Sequence, residues 1–151
     1  MTGQTTELEV RKSILVRCSP ECAFETFTDG IRTWWPLETH SLGEARAVSA
    51  AVEGRVGGRL FEIWDDGSEH LWGTVSAWEP PRRLAVSWHV NADDPAPTEW
   101  EVRFEREGDG TRVELQHFGW ERLGERARTV SEGYDTGWSR VLSRYEASLE
   151  S

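Results

Sequence analysis

At 151 residues the chain is long enough for a single domain with one sizeable core. Its 27 acidic against 17 basic side chains leave a net charge of −10, which repels a phosphate backbone or an anionic bilayer, so neither nucleic acid nor membrane is an expected partner. No apolar run approaches the ~20 residues of a membrane span, and the polar start, Met1 to Leu8, lacks a signal-peptide core, so the expected location is cytoplasmic.

In chain order, residues 8–17 read as a strand, with Val10, Ile14 and Val16 alternating with Arg11, Ser13 and Arg17 and one irregularity of phase at Lys12. Ser19-Pro20-Glu21 then carries a helix start: a capping hydroxyl, a proline whose missing N–H costs nothing in the first turn, and an acid at the positive end of the helix dipole. That helix runs through Phe24 and Phe27 to Asp29-Gly30, and a second short helix is expected near Ile31 to Trp35. After a loop at 37–43, six short strand-like runs follow up to Trp120. Asp65-Asp66-Gly67, Glu79-Pro80-Pro81, the longer polar stretch 91–97 and Gly108-Asp109-Gly110 separate them. Alternation is clean in Leu84/Val86/Trp88, Trp100/Val102/Phe104 and Val113/Leu115/His117. Residues 122–149 change period: Tyr134, Trp138, Val141, Leu142, Tyr145 and Leu149 form one stripe of an amphipathic helix, with a break expected near Gly133. The order strand, two short helices, six strands, long helix predicts an α+β domain with helices on one face of an antiparallel sheet.

Nine tryptophans stand out: 34, 35, 64, 72, 78, 88, 100, 120 and 138, close to one per element. An indole buries roughly 150–250 Å² and brings one N–H that needs an acceptor. Core packing is the simpler account of each; the other is the wall of a space where a ligand sits. Trp72 and Trp78 share a parity and are expected on the outer side of the sheet as a surface patch.

Four stretches resemble the homologues of the activator of heat-shock protein 90 ATPase, in the SRPBCC (START-like, helix-grip) superfamily. They are Ser19-Pro20-Glu21-Cys22-Ala23-Phe24 to Trp34-Trp35-Pro36; Gly54-Arg55-Val56-Gly57-Gly58-Arg59-Leu60-Phe61; Gly73-Thr74-Val75 through Pro80-Pro81-Arg82-Arg83-Leu84 to Trp88; and Gly137-Trp138 with Leu142. The likeness spans roughly residues 10–149. It implies a curved antiparallel sheet of about seven strands round the C-terminal helix, in a single domain over 1–151 with its core in 8–149, and a cavity between sheet and helix. It implies no reaction. The chaperone activators that give the family its name have a further N-terminal domain; none is expected here, and chaperone binding is not carried over.

By alternation, Phe61, Trp88, Trp100, Phe104 and His117 are expected to face the cavity from the sheet side, and Tyr134, Trp138 and Val141 from the helix; Trp35 joins them from the family pattern. The expected ligand is a small apolar or aromatic molecule, bound without catalysis. A cyclase- or hydrolase-type enzyme is the alternative, and would need His117 to converge with His89, Glu62 or Glu101. A stress-response or chaperone-interaction module is the third reading and predicts an exposed apolar patch. His70, His89 and His117 lie on or beside strands and could converge. No metal site is expected, because no histidine pair has ligand spacing and Cys18 and Cys22 stand alone. No cofactor is expected either: Gly54, Gly57 and Gly58 lack a P-loop lysine and precede a strand, and no G-x-S-x-G motif occurs. A homodimer is compatible with the sequence.

Overall fold

The computed structural model describes residues 9–89 and 97–149. Seven strands form one antiparallel sheet: β1 (Val10–Val16), β2 (Ala47–Val52), β3 (Arg59–Trp64), β4 (Glu69–Glu79), β5 (Arg83–Trp88), β6 (Thr98–Glu107) and β7 (Gly110–Phe118). Their order across the sheet is β1-β7-β6-β5-β4-β3-β2, so only β1 is placed out of sequence, beside the last strand. Two helices, α1 (Pro20–Thr28) and α2 (Ala127–Ser148), pack on its inner face, α1 against β6 and β7 and α2 against β1. This is the helix-grip architecture. Most of the polar 91–97 stretch lies outside the described residues.

Local chemistry sets the boundaries. Ser19 caps α1 by accepting the Cys22 amide at 3.1 Å, with Pro20 in the first turn. The second expected helix is one 3-10 turn, Ile31–Thr33, and Trp35 hangs beyond it. The phase irregularity in β1 disappears in the register: Lys12 pairs with Leu115, in step with Val10, Ile14 and Val16, and reaches Asp135 of α2 at 2.9 Å. The expected break at Gly133 is not there. Residues 127–148 are one helix, and the interruption falls at Gly124 (φ 62°, ψ −127°), which ends a 3-10 stretch from Trp120. A φ in that range is open to glycine at little cost.

The sheet curls through bulges, and these reverse two expected faces. Leu60 pairs with Gly73 and Phe61 with Leu71, so Trp72 is an extra residue on β4; Val75 pairs with Val86 and Ala77 with Ala85, so Ser76 is another. Each extra residue inverts the alternation after it. Trp72 and Trp78 therefore both turn inward, Trp72 onto Trp35 at 4.9 Å and Trp78 onto Phe24 at 5.1 Å, and no outer Trp72/Trp78 patch forms. Phe61 goes the other way: it shares the outer face with Leu71, under the Arg59 guanidinium at 4.3 Å.

Seven of the nine tryptophans are buried and two, Trp64 and Trp78, are partly so. The simpler account, core packing, holds for Trp34 and Trp120, whose N–H groups donate to the carbonyls of Thr26 (2.8 Å) and His117 (3.0 Å).

Candidate ligand-binding cleft

Five indoles close a ring at the open end of the grip. Successive ring centres are 4.9 Å apart for Trp35–Trp72, 5.8 Å for Trp72–Trp88, 5.8 Å for Trp88–Trp100, 5.3 Å for Trp100–Trp138 and 5.9 Å for Trp138–Trp35. Four of them, Trp35, Trp72, Trp88 and Trp138, together with Tyr134, form the floor of a cleft of about 560 Å³. Its sides are α2 and the segment Thr39–Leu42. That size lies within the ~300–1,000 Å³ usual for small-molecule sites.

Two features of the sequence open this space. On α2, Gly133 and Gly137 lie one turn apart facing the segment, and a methyl added at Gly133 would meet no atom within 4 Å. Opposite, the segment is pinned back against the sheet. Glu62 is fully buried on β3, and both its oxygens act as acceptors: from the Leu42 and Gly43 amides at 2.8 Å each, from the Trp64 indole at 2.6 Å and from the Trp72 indole at 2.5 Å. Four donors offset the cost of burying a carboxylate. The Trp35 indole adds a bond to the His40 carbonyl at 2.7 Å. Glu62 is therefore a structural anchor that holds the cleft wall at its distance from α2.

Of the nine residues expected at the site, Trp35, Trp88, Tyr134, Trp138 and Val141 line the cleft. Trp88 and Tyr134 are joined, indole N–H to phenol oxygen, at 2.8 Å. Trp100 lies behind them in the ring, 1% exposed, and its N–H has no acceptor among the described residues. Phe104 packs deeper, against Phe24 at 5.3 Å and Phe27 at 5.8 Å. Phe61 is on the outer face. His117 is fully buried and spoken for on both nitrogens: Nδ1 accepts from the Trp138 indole at 3.0 Å, so the neutral ring carries its proton on Nε2 and donates to Thr98 Oγ1 at 2.8 Å. Burial pushes its pKa down to about 3. A neutral imidazole locked between an indole and a hydroxyl is a core group and not a base open to a substrate.

The convergence needed for His117-centred catalysis is absent. His89 is exposed beside Thr74, Glu101 lies on the outer face bound to Arg83 and Arg103, and His70 stacks on Trp64 at 3.7 Å. No cluster of three metal-ligating side chains occurs among the described residues.

The histidine that does reach the cleft is His40, which sequence reasoning passed over. Its Nδ1 is held by Thr39 Oγ1 at 2.7 Å, and its Nε2 edge faces Gly137. Burial, and then the Arg140 guanidinium, lowers its pKa, with Glu38 opposing. Arg140 also lines the cleft. Neither residue carries a sequence signal: the loop has no periodicity, and Arg140 looks like any solvated helix position.

A family model for "Activator of Hsp90 ATPase homolog 1-like protein" matches residues 17–150, and the chain belongs to that family. None of the curated proteins matches it. Among solved structures it is similar to the anthrahydroquino-γ-pyrone synthase Txn09, complexed with SUM, at 39% identity over 84% of this chain and 86% of that one, with a TM-score of 0.57. It is similar to CalC of Micromonospora echinospora, a self-sacrificing resistance protein, at 30% identity over 94% of each chain, with a TM-score of 0.70. The Aha1 dimer of Colwellia psychrerythraea, solved in solution, shares the fold at 18% identity over 94% of this chain and 96% of that one, with a TM-score of 0.68. No described helix is long and apolar enough to cross a membrane.

Proposed function

We propose that the protein binds a small, planar aromatic molecule in the cleft between α2 and the Thr39–Leu42 segment. The observation that carries this reading is the floor of four indoles and one phenol at the bottom of an open space of about 560 Å³. Flat aromatic walls recognise flat aromatic ligands by stacking and edge contacts. Txn09, an anthrahydroquino-γ-pyrone synthase, supports a fused-ring ligand class. Titration with planar tricyclic probes such as anthraquinone derivatives should quench tryptophan fluorescence and raise the melting temperature. Gly133→Leu, which drives a side chain into the empty cleft without touching the core, should abolish both effects. Unaltered binding in that variant, or no response to any probe, refutes the reading.

A second reading is a cyclase acting in the same cleft, favoured by the synthase relative. Its polar groups would be His40, Thr39, Tyr134 and Arg140, in place of the His117 set. Chromatography for a cyclised product from an open-chain hydroxyanthraquinone precursor, compared between the native chain and His40→Gln, separates turnover from binding alone. A homodimer is supported by the Colwellia neighbour, and sedimentation measures it directly. A cytoplasmic location is compatible with the acidic, span-free sequence and is read out by fractionation of expressing cells.

A further inference from the structure

The chain has a net charge of −10, yet among the described residues no carboxylate lines the cleft. The one charged side chain among the described lining residues is a cation, Arg140. Three acids on the surrounding elements have partners of their own: Glu38 pairs with Arg144 at 3.2 Å, Asp135 with Lys12 at 2.9 Å, and Glu62 is enclosed by its four N–H donors. Among the described residues, Arg140 has no carboxylate within ion-pair distance. Beside it stands His40, whose Nδ1 is held by Thr39 Oγ1 and whose Nε2 has no hydrogen-bond partner among the described residues. Once the ring is an imidazolium both nitrogens donate, so Nε2 is then a donor whichever way the Thr39 hydroxyl turns. Two donors, guanidinium and imidazole, then look onto the rim of an aromatic floor.

We infer that the cleft selects aromatic ligands bearing an anionic oxygen, with the rings on the tryptophan floor and the anion held at the rim by Arg140 and His40 Nε2. This deepens the proposed function and rests on it. A charge-assisted bond from an otherwise unpaired guanidinium is among the stronger polar contacts, and Arg presents it in a fixed fork that suits a carboxylate or an ionised phenol. The groups facing His40 are Arg140 from α2 and Glu38 from its own segment, with Arg144 neutralising Glu38. An anion seated at Nε2 opposes the effect of Arg140 and favours the imidazolium. Binding should then draw a proton onto His40, and affinity for the anion should grow as pH falls from 8 towards 6.

The test is calorimetric titration of the full chain with anthraquinone-2-carboxylate and with its neutral carboxamide, for the native protein and for Arg140→Gln, Arg140→Lys and His40→Gln. Arg140 is exposed, so its replacements leave the fold intact. The native chain should prefer the carboxylate by about tenfold, the scale of one hydrogen bond to a charged group. Arg140→Gln should erase that preference by weakening the carboxylate far more than the carboxamide, Arg140→Lys should retain most of it, and His40→Gln should remove its pH dependence. Equal affinity for the two ligands in the native chain, or equal weakening of both by Arg140→Gln, overturns the inference and leaves an aromatic site standing. Binding of neither ligand overturns the proposed function as well.

Discussion

His117 shows how burial decides the role of a side chain. Its ring is enclosed by Trp120 at 4.2 Å and Tyr134 at 5.0 Å and hydrogen-bonded to Trp138 and Thr98, and in that setting it stays neutral down to about pH 3. The unfolded chain protonates the same imidazole near pH 6.5, so between those values only the unfolded state binds the proton. The sign follows: the contribution is complete above pH 6.5 and is lost as pH falls towards 3. The loss amounts to about 2 kcal/mol between pH 7 and pH 5. His40 is shifted in the same direction, so the clean measurement is a difference. Urea unfolding of the native chain and of His117→Gln at both pH values should show the native chain losing about 2 kcal/mol more, since Gln offers one acceptor and one donor but does not titrate. Parallel losses in the two proteins refute the assignment.

At the scale of elements, the cleft is a gap kept open between α2 and the 36–43 segment. Glu62→Gln replaces one acceptor oxygen with an N–H group facing donors, which strands at least one buried N–H at a cost of about 1–3 kcal/mol. Hydrogen exchange at the Leu42 and Gly43 amides should accelerate well beyond the rest of the sheet; protection equal to the native protein would show that the anchor is unimportant. The glycines on α2 work in the opposite sense. Gly133 sits inside a continuous helix with empty space beside it. Gly133→Ala should therefore stabilise the protein by up to about 1 kcal/mol while narrowing the cleft. A higher melting temperature with weaker probe binding is the expected pair of results, and a lower melting temperature would mean that the helix is strained there. Periodicity announced these elements well. It found α2 from the three- and four-residue spacing of Trp138, Val141, Leu142 and Tyr145, all of them buried. It misplaced the break, because a glycine's sequence neighbours do not reveal whether its φ is positive.

For the molecule as a whole, a ligand that binds only the folded cleft must stabilise all of it. At a probe concentration 100 times the dissociation constant the gain is about 2.7 kcal/mol, read as a rise in melting temperature that tracks probe concentration. A melting temperature that does not move with probe concentration would show that the probe has no site specific to the folded state. The sequence by itself determined the architecture, because alternation in β5, β6 and β7 and the stripe on α2 are local consequences of which face must leave water. It also singled out five residues that line the cleft: Trp35, Trp88, Tyr134, Trp138 and Val141. What only the tertiary structure decided was everything that depends on bulges and on loops. The extra residues at Trp72 and Ser76 turned both β4 indoles inward, while Phe61 came to lie outside. Glu62, one carboxylate among many in an acidic chain, became an anchor only when a loop twenty residues earlier brought its amides across. His40 and Arg140, distant in sequence, acquired a shared rim because α2 returns over that loop. Alternation is a local signal that one inserted residue inverts, and convergence across a hundred residues has no local signal at all.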